Sequence, residues 1–358
     1  MSIHGVQDMH RTDGDAAAAR RAVATARARG RARTRSVVLA LTLVTVLVCG
    51  AALTLGPFTV PVPGLVRSFT GGAEWKDAFF VREVRLPRVL TGALTGLAFG
   101  MSGAVFQGVV RNPLASPDVM GITSGAGAAA VVSLTFFGLG GTGVSLGALG
   151  GALATAALIQ LLAWRRGVSG QRLVLVGIGT AAVLSSLTSY LMTSAHISDA
   201  QRALLWLTGS LNGRGTAYAG PLALCLAVLL PVTALLSRAL GVLRLGDEPA
   251  TGLGLPVTGA RLGLLATGVA LAAVATAAAG PVPFVALVAP PIARRLVREG
   301  PALTASALVG AVVMTASDLA ARHLFGSTEL PVGVVTGVVG APYLLVLLAT
   351  ANRSGRSG

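Results

Sequence analysis

The chain has 358 residues, 53% of them hydrophobic and only 11% charged, with a mean hydropathy of +0.77. A soluble protein of this length needs a polar surface that such a composition does not supply, so lipid is the solvent that fits its apolar side chains. The formal net charge of +15 does not argue for nucleic acid, because eight of the arginines sit in the first 35 residues, ahead of the first apolar run.

Those eight are Arg11, Arg20, Arg21, Arg27, Arg29, Arg31, Arg33 and Arg35. Residues 1–35 read as a basic, disordered tail held in the cytoplasm beside anionic lipid. The first apolar run is long and lacks a small-x-small cleavage site, so it reads as a span and not as a cleaved signal. Ten apolar runs follow one another at about 37–56, 88–110, 119–138, 143–164, 173–194, 217–240, 262–280, 284–297, 302–321 and 331–350. A spanning helix needs about 20 such residues, and continuous runs select helices over strands. The eighth is short and reads as tilted, broken or re-entrant. The expected fold is an all-α integral membrane bundle of about ten helices, with the polytopic domain at 36–352 and a cytoplasmic tail at 353–358. With both termini inside, 20 lysines and arginines fall on the inner side and 8 on the outer, the bias that the positive-inside rule asks for. The outer arginines between Arg82 and Arg88 run against it.

Along the spans, Gly92, Gly96 and Gly100 recur every four residues on the second, and Gly333 and Gly337 do so on the last. Small residues at this spacing let helix backbones approach closely in lipid. The segment Arg111 to Asp118 reads as an inner turn with a capped helix start, Ser116 capping and Pro117 at the first helical position. Gly280-Pro281-Val282-Pro283 breaks the chain at the outer face, and Pro290-Pro291 interrupts the eighth run. Broken backbone at membrane depth must be covered by protein or water, so this run packs inside the bundle or lines a cavity.

Several chemistries are missing. The chain's one lysine, Lys76, follows no phosphate-binding loop, so ATP, if used, is bound by another chain. The four histidines form no ligand-spaced cluster, Cys49 and Cys225 both lie in apolar runs, and no nucleophile–base pair stands out. No cofactor, metal site or catalytic residue is therefore expected, which argues against an intramembrane enzyme. A secondary transporter needs intramembrane ionisable groups, and the spans offer only Asp318, with Arg322 four residues on to pair with it.

Four blocks in order resemble the FecCD-type permease family: Arg85-Leu86-Pro87-Arg88 with Ser102 to Gly108; Arg111 to Asp118 with Gly121 to Ala126; Gly280 to Pro290; and Glu329 to Gly333 with Gly340-Ala341-Pro342. The resemblance covers about 80–350. It implies a bundle like the vitamin B12 importer permease, a second permease subunit (the same chain or a related one), two cytoplasmic ATPases and an external substrate-binding protein. It assigns Arg85, Arg88 and Arg322 to docking that binding protein. Asp247, Glu248, Ala250, Leu253 and Gly254 fall in the loop that meets the ATPase, and Ser169 and Gly170 at a cytoplasmic gate. The resemblance implies import of a ferric siderophore, the commonest cargo among relatives, with vitamin B12 or haem as the alternatives. Where the family commonly has histidine after the proline of the third block, this chain has Pro291.

Overall fold

The computed structural model describes residues 4–56, 59–164, 170–298, 300, 302–324 and 329–354. Among them every regular element is a helix. In chain order they are α1 (His4–Thr54), α2 (Val62–Thr70), α3 (Trp75–Phe79), a π-helical turn (Phe80–Arg85), α4 (Leu86–Val110), α5 (Ile122–Thr135), α6 (Thr142–Ala163) and α7 (Gly170–Ser194). Then come α8 (Ile197–Leu207), α9 (Thr216–Leu243), α10 (Asp247–Gly252), α11 (Val257–Ala279), α12 (Val285–Val297), α13 (Leu303–His323) and α14 (Val332–Ser354). Each of the ten apolar runs lies on one of these helices. Seven helices among the described residues are long and apolar enough to cross a membrane, whereas α5 and the apolar part of α14 are shorter. The expected boundary at residue 36 falls inside α1.

The π-helical turn sits just ahead of Pro87. A proline ring collides with the carbonyl four residues before it and cannot donate to it, and a wider turn relieves both problems.

Helix α4 is the axis of the bundle. It packs against α13, α11, α12 and α9, and Phe99, Val105 and Phe106 on it are essentially inaccessible. Its glycines explain how the helices come so close. A Cβ at Gly96 would run into the backbone of Gly310 on α13, and one at Gly100 into that of Ser306. Gly92 faces Leu211, and Gly333 lies on the Thr208 carbonyl; Gly337 has nothing within 4 Å. Some buried hydroxyls satisfy themselves locally, Thr91 to Pro87 O and Thr315 to Ala311 O, whereas Thr95 Oγ1 on the same helix is buried without a partner. Ser102 instead reaches across to Gly268 O on α11 at 2.7 Å.

Two expectations need correction. The Gly280–Pro283 break does not lie at the end of the bundle. Ala286, just beyond it, packs on Gly103 of α4, about 26 Å along that helix from Leu86 at 1.5 Å per residue. Nor do Pro290 and Pro291 interrupt their run, since both lie inside one buried 13-residue helix, α12. Two prolines leave the carbonyls of Ala286 and Leu287 without helical donors. The neighbouring helix deals with both: Ala286 O lies against the bare backbone of Gly103, and Leu287 O accepts from Gln107 Nε2 at 3.0 Å.

Candidate functional site

Three polar stations lie along α4. At its N-terminal end Arg88 donates from Nε (3.2 Å) and Nη2 (3.0 Å) to Asp318 Oδ1, and from Nη1 to Glu329 Oε2 at 3.0 Å. Arg322, one turn after Asp318 on α13, brings Nη2 within 3.1 Å of Asp318 Oδ2, off the line of a hydrogen bond. The Asp318 side chain is only 5% exposed. Spacing alone gives the Asp318–Arg322 pair; Arg88, 230 residues away, is what sequence reading missed. Arg85 turns elsewhere, donating from Nη1 to Leu53 O (2.7 Å) and Thr54 O (3.1 Å) at the end of α1. The structure thus brings Arg88 and Arg322 onto one carboxylate and uses Arg85 to hold α1. Docking asks for free guanidinium faces, and within this single chain all three are engaged internally.

The middle station is where broken elements meet. Ser210 N donates to Ala279 O at 2.8 Å and Gly333 N to Gly209 O at 3.2 Å, joining the ends of α8 and α11 to the start of α14. Gly209 (φ +70°) and Gly280 (φ +78°) lie so close that a Cβ on Gly209 would strike Pro281 O, and one on Gly280 would strike Trp206 O and crowd Gly209. Phe284, at the head of α12, holds φ +69°, a conformation that disfavours any residue with a Cβ and that clusters at functional breaks. Beside this junction a cavity of about 300 Å³ is lined by Asp118, Thr123, Leu207, Thr208, Pro281, Pro283, Gly333 and Val334. Oδ2 of Asp118 is buried without a hydrogen-bond partner. The expected helix start at Ser116 and Pro117 does not form, since α5 opens at Ile122 behind Gly121 with no side-chain cap, and that pattern gave no hint of the wall.

At the C-terminal end of α4, Asp247 opens α10 and accepts from Arg111 Nη2 at 2.6 Å and from Arg261 Nη2 at 2.8 and 3.0 Å. Arg111 closes α4 and Arg261 belongs to α11, so one carboxylate ties the short helix to two long ones. Ala250 is fully buried while Glu248 and Leu253 are exposed, and Gly254 (φ +79°) turns the chain with nothing within 4 Å. Gly170 starts α7 against the Val110 backbone, 3.3 Å from where its Cβ would sit. Ser169 lies outside the described residues. A cavity of about 530 Å³ opens between the ends of α4 and α7, lined by Val110, Arg111, Gln171 and Leu175 among others.

The comparisons with known proteins agree with one another. The sequence model of the FecCD transport family matches residues 41–350. The chain is 42% identical over 304 residues to the ferric enterobactin transport system permease protein FepG of Escherichia coli, covering 84% of this chain and 92% of that one. It is 40% identical to the achromobactin transport system permease protein CbrC of Dickeya dadantii, over 83% and 86% of the two chains. To the Fe(3+) dicitrate transport system permease protein FecD of Escherichia coli it is 36% identical, over 85% and 96%. Among solved structures it resembles a metal-chelate type ABC transporter in an inward-facing conformation, with a TM-score of 0.77, 29% identity, and 88% and 99% of the two chains covered.

Proposed function

The chain belongs to the FecCD transport family, and we propose that it is the permease subunit of an ATP-binding-cassette importer that carries ferric siderophores inward across the cytoplasmic membrane. The observation that carries the reading is the likeness to two siderophore permeases over more than four fifths of this chain. The likeness to the dicitrate permease makes ferric citrate the second candidate cargo.

The proposed topology has ten crossings, with α5, α12 and α14 completing the seven long helices, and both termini in the cytoplasm. The Arg88 end of α4 then faces outside and the Arg111 end faces in. Two cytoplasmic ATPases, a second permease subunit and an external binding protein complete the importer. The ATPase presses on α10 through Glu248, Leu253 and Gly254, with Ala250 anchoring that helix to the bundle. Asp247 passes the movement to α4 through Arg111 and to α11 through Arg261. The binding protein docks over the Arg88 network, its acidic groups displacing the exposed Glu329 from Arg88 while the buried Asp318 keeps Arg88 and Arg322 in position and Arg85 keeps α1 in place. Guanidinium groups suit such an exchange between carboxylates. Val110 and Gly170, where α4 meets α7, form the inner gate together with Ser169. The cargo passes along a central pathway between the two permease subunits, whose walls should be small or weakly polar so that a bulky chelate does not stick.

The test is uptake of radioactive iron, loaded on a panel of siderophores and on citrate, in cells with and without the gene. Loss of uptake for one siderophore is the expected result. Unchanged uptake for every chelate would refute the iron assignment.

A further inference from the structure

A second cavity, of about 320 Å³, opens at the Arg111 end of α4, lined by Gln107, Arg111, Arg244 and Arg294 together with small residues of α4 and the turn after it. Three guanidinium groups from three elements converge on it: Arg111 from the end of α4, Arg244 from the end of α9 and Arg294 from α12. Their fixed partners leave the cavity positive. Asp247, paired with Arg111, is already shared with Arg261. Arg244 spends one donor on Gly300 O at 2.7 Å, and Arg294 spends one on Gln107 Oε1 at 2.8 Å. Among the described residues, neither Arg244 nor Arg294 has a carboxylate partner. The positions are built and not merely crowded. Gln107, 4% exposed, is pinned between Arg294 and Leu287 O, and Arg111 is held at φ +58°, a conformation that the fold has to enforce on an arginine.

Three cations around one hollow repel each other unless an anion joins them, and a guanidinium fork matches phosphate oxygens in pairs. We propose that this cavity binds a phosphate-bearing anion, with Arg244, Arg294 and Arg111 as its ligands. The surroundings favour an anionic phospholipid headgroup as the source. The cavity lies at the cytoplasmic end in the proposed topology, where anionic lipid is drawn to basic pockets between helices. Leu245, next to Arg244 in the chain, is exposed and offers apolar surface to an acyl chain. The anion neutralises the corner where α4, α9 and α12 end, next to the Asp247 clamp, and so ties the lipid to the moving end of the bundle.

The experiment uses the assembled importer, purified in detergent. Native mass spectrometry reads retained phospholipid after exchange against phosphatidylglycerol or phosphatidylcholine, and thermal melting reads the response to inorganic phosphate. The variants are Arg244→Gln, at an exposed position where folding is least at risk, and Arg244→Lys. Wild type should retain phosphatidylglycerol over phosphatidylcholine. Arg244→Gln should weaken that retention roughly tenfold, the size of one charge-assisted contact, and Arg244→Lys should restore part of it. If no lipid is held but phosphate raises the melting temperature of wild type and not of Arg244→Gln, the site stands and its ligand is the free ion. If wild type and Arg244→Gln bind both probes alike, or neither binds, the proposal falls. It also falls if Arg244→Gln loses the ATPase while binding phosphate as wild type does, because the cavity then serves the partner chain.

Discussion

At each end of α4 two arginines share one aspartate, and the two arrangements differ in what surrounds them. Arg88 and Arg322 close on an Asp318 whose side chain is 5% exposed, while Arg111 and Arg261 close on an Asp247 that is 47% exposed. The interaction is the same in kind. A buried carboxylate between cations cannot be withdrawn without leaving charge in a poor solvent, so that network behaves as a lock. At Asp247 the Arg111 half of the clamp is exposed and can exchange partners with water at little expense, while the Arg261 half is 9% exposed and stays anchored. The difference teaches that the same kind of ion pair is sealed at one end of α4 and open to water at the other, the end that the proposed mechanism asks to move.

The strongest way to break this comparison is Asp318→Ala, which strands Arg322 and leaves Arg88 only Glu329. We expect a loss of about 3–5 kcal/mol, read as a large drop in the melting temperature of the purified permease. An unchanged melting temperature would mean that the network is wet and the contrast false. Gln107→Leu sharpens it from the middle of the helix. It leaves Leu287 O without a donor and Arg294 without an acceptor, with an expected loss of about 1–3 kcal/mol. Asp247→Asn should cost least, about 1 kcal/mol or less for the exposed Arg111 pair, because the amide oxygen still offers the buried Arg261 an acceptor, yet it should uncouple ATP hydrolysis from uptake in the assembled importer. Full coupling in that variant would remove Asp247 from the transmission path. For the α10 surface, Leu253→Asp is a cleaner probe than a bulky residue at Gly254, whose φ of +79° penalises any side chain.

The helices were legible because apolarity over 20 residues is a local signal, and each of the ten runs lies on one. Asp318 with Arg322 was legible for the same reason, four residues on one helix face. The clamp was not, because Arg111 and Arg261 lie 136 and 14 residues from Asp247 and in sequence counted only as inner-side positive charge. Helix α8 escaped notice because Asp199 and Arg202 interrupt its apolar pattern, and those two pair with each other at 2.6 Å. Arg85 and Arg88 looked alike three residues apart; only packing sends one to the α1 carbonyls and the other to Asp318.

The paired prolines of α12 also bear on how the protein is made. A segment of 13 residues, about 20 Å long, with two carbonyls that it cannot satisfy itself is one that the bilayer has little means to keep. The translocation machinery can release α11 and α13 into lipid as stable individuals, but α12 gains its place only when α4 offers Gln107 and the bare face of Gly103. The settling of α12 is thus tied to a helix synthesised some 180 residues earlier, whose Gln107 supplies the donor that Leu287 O lacks.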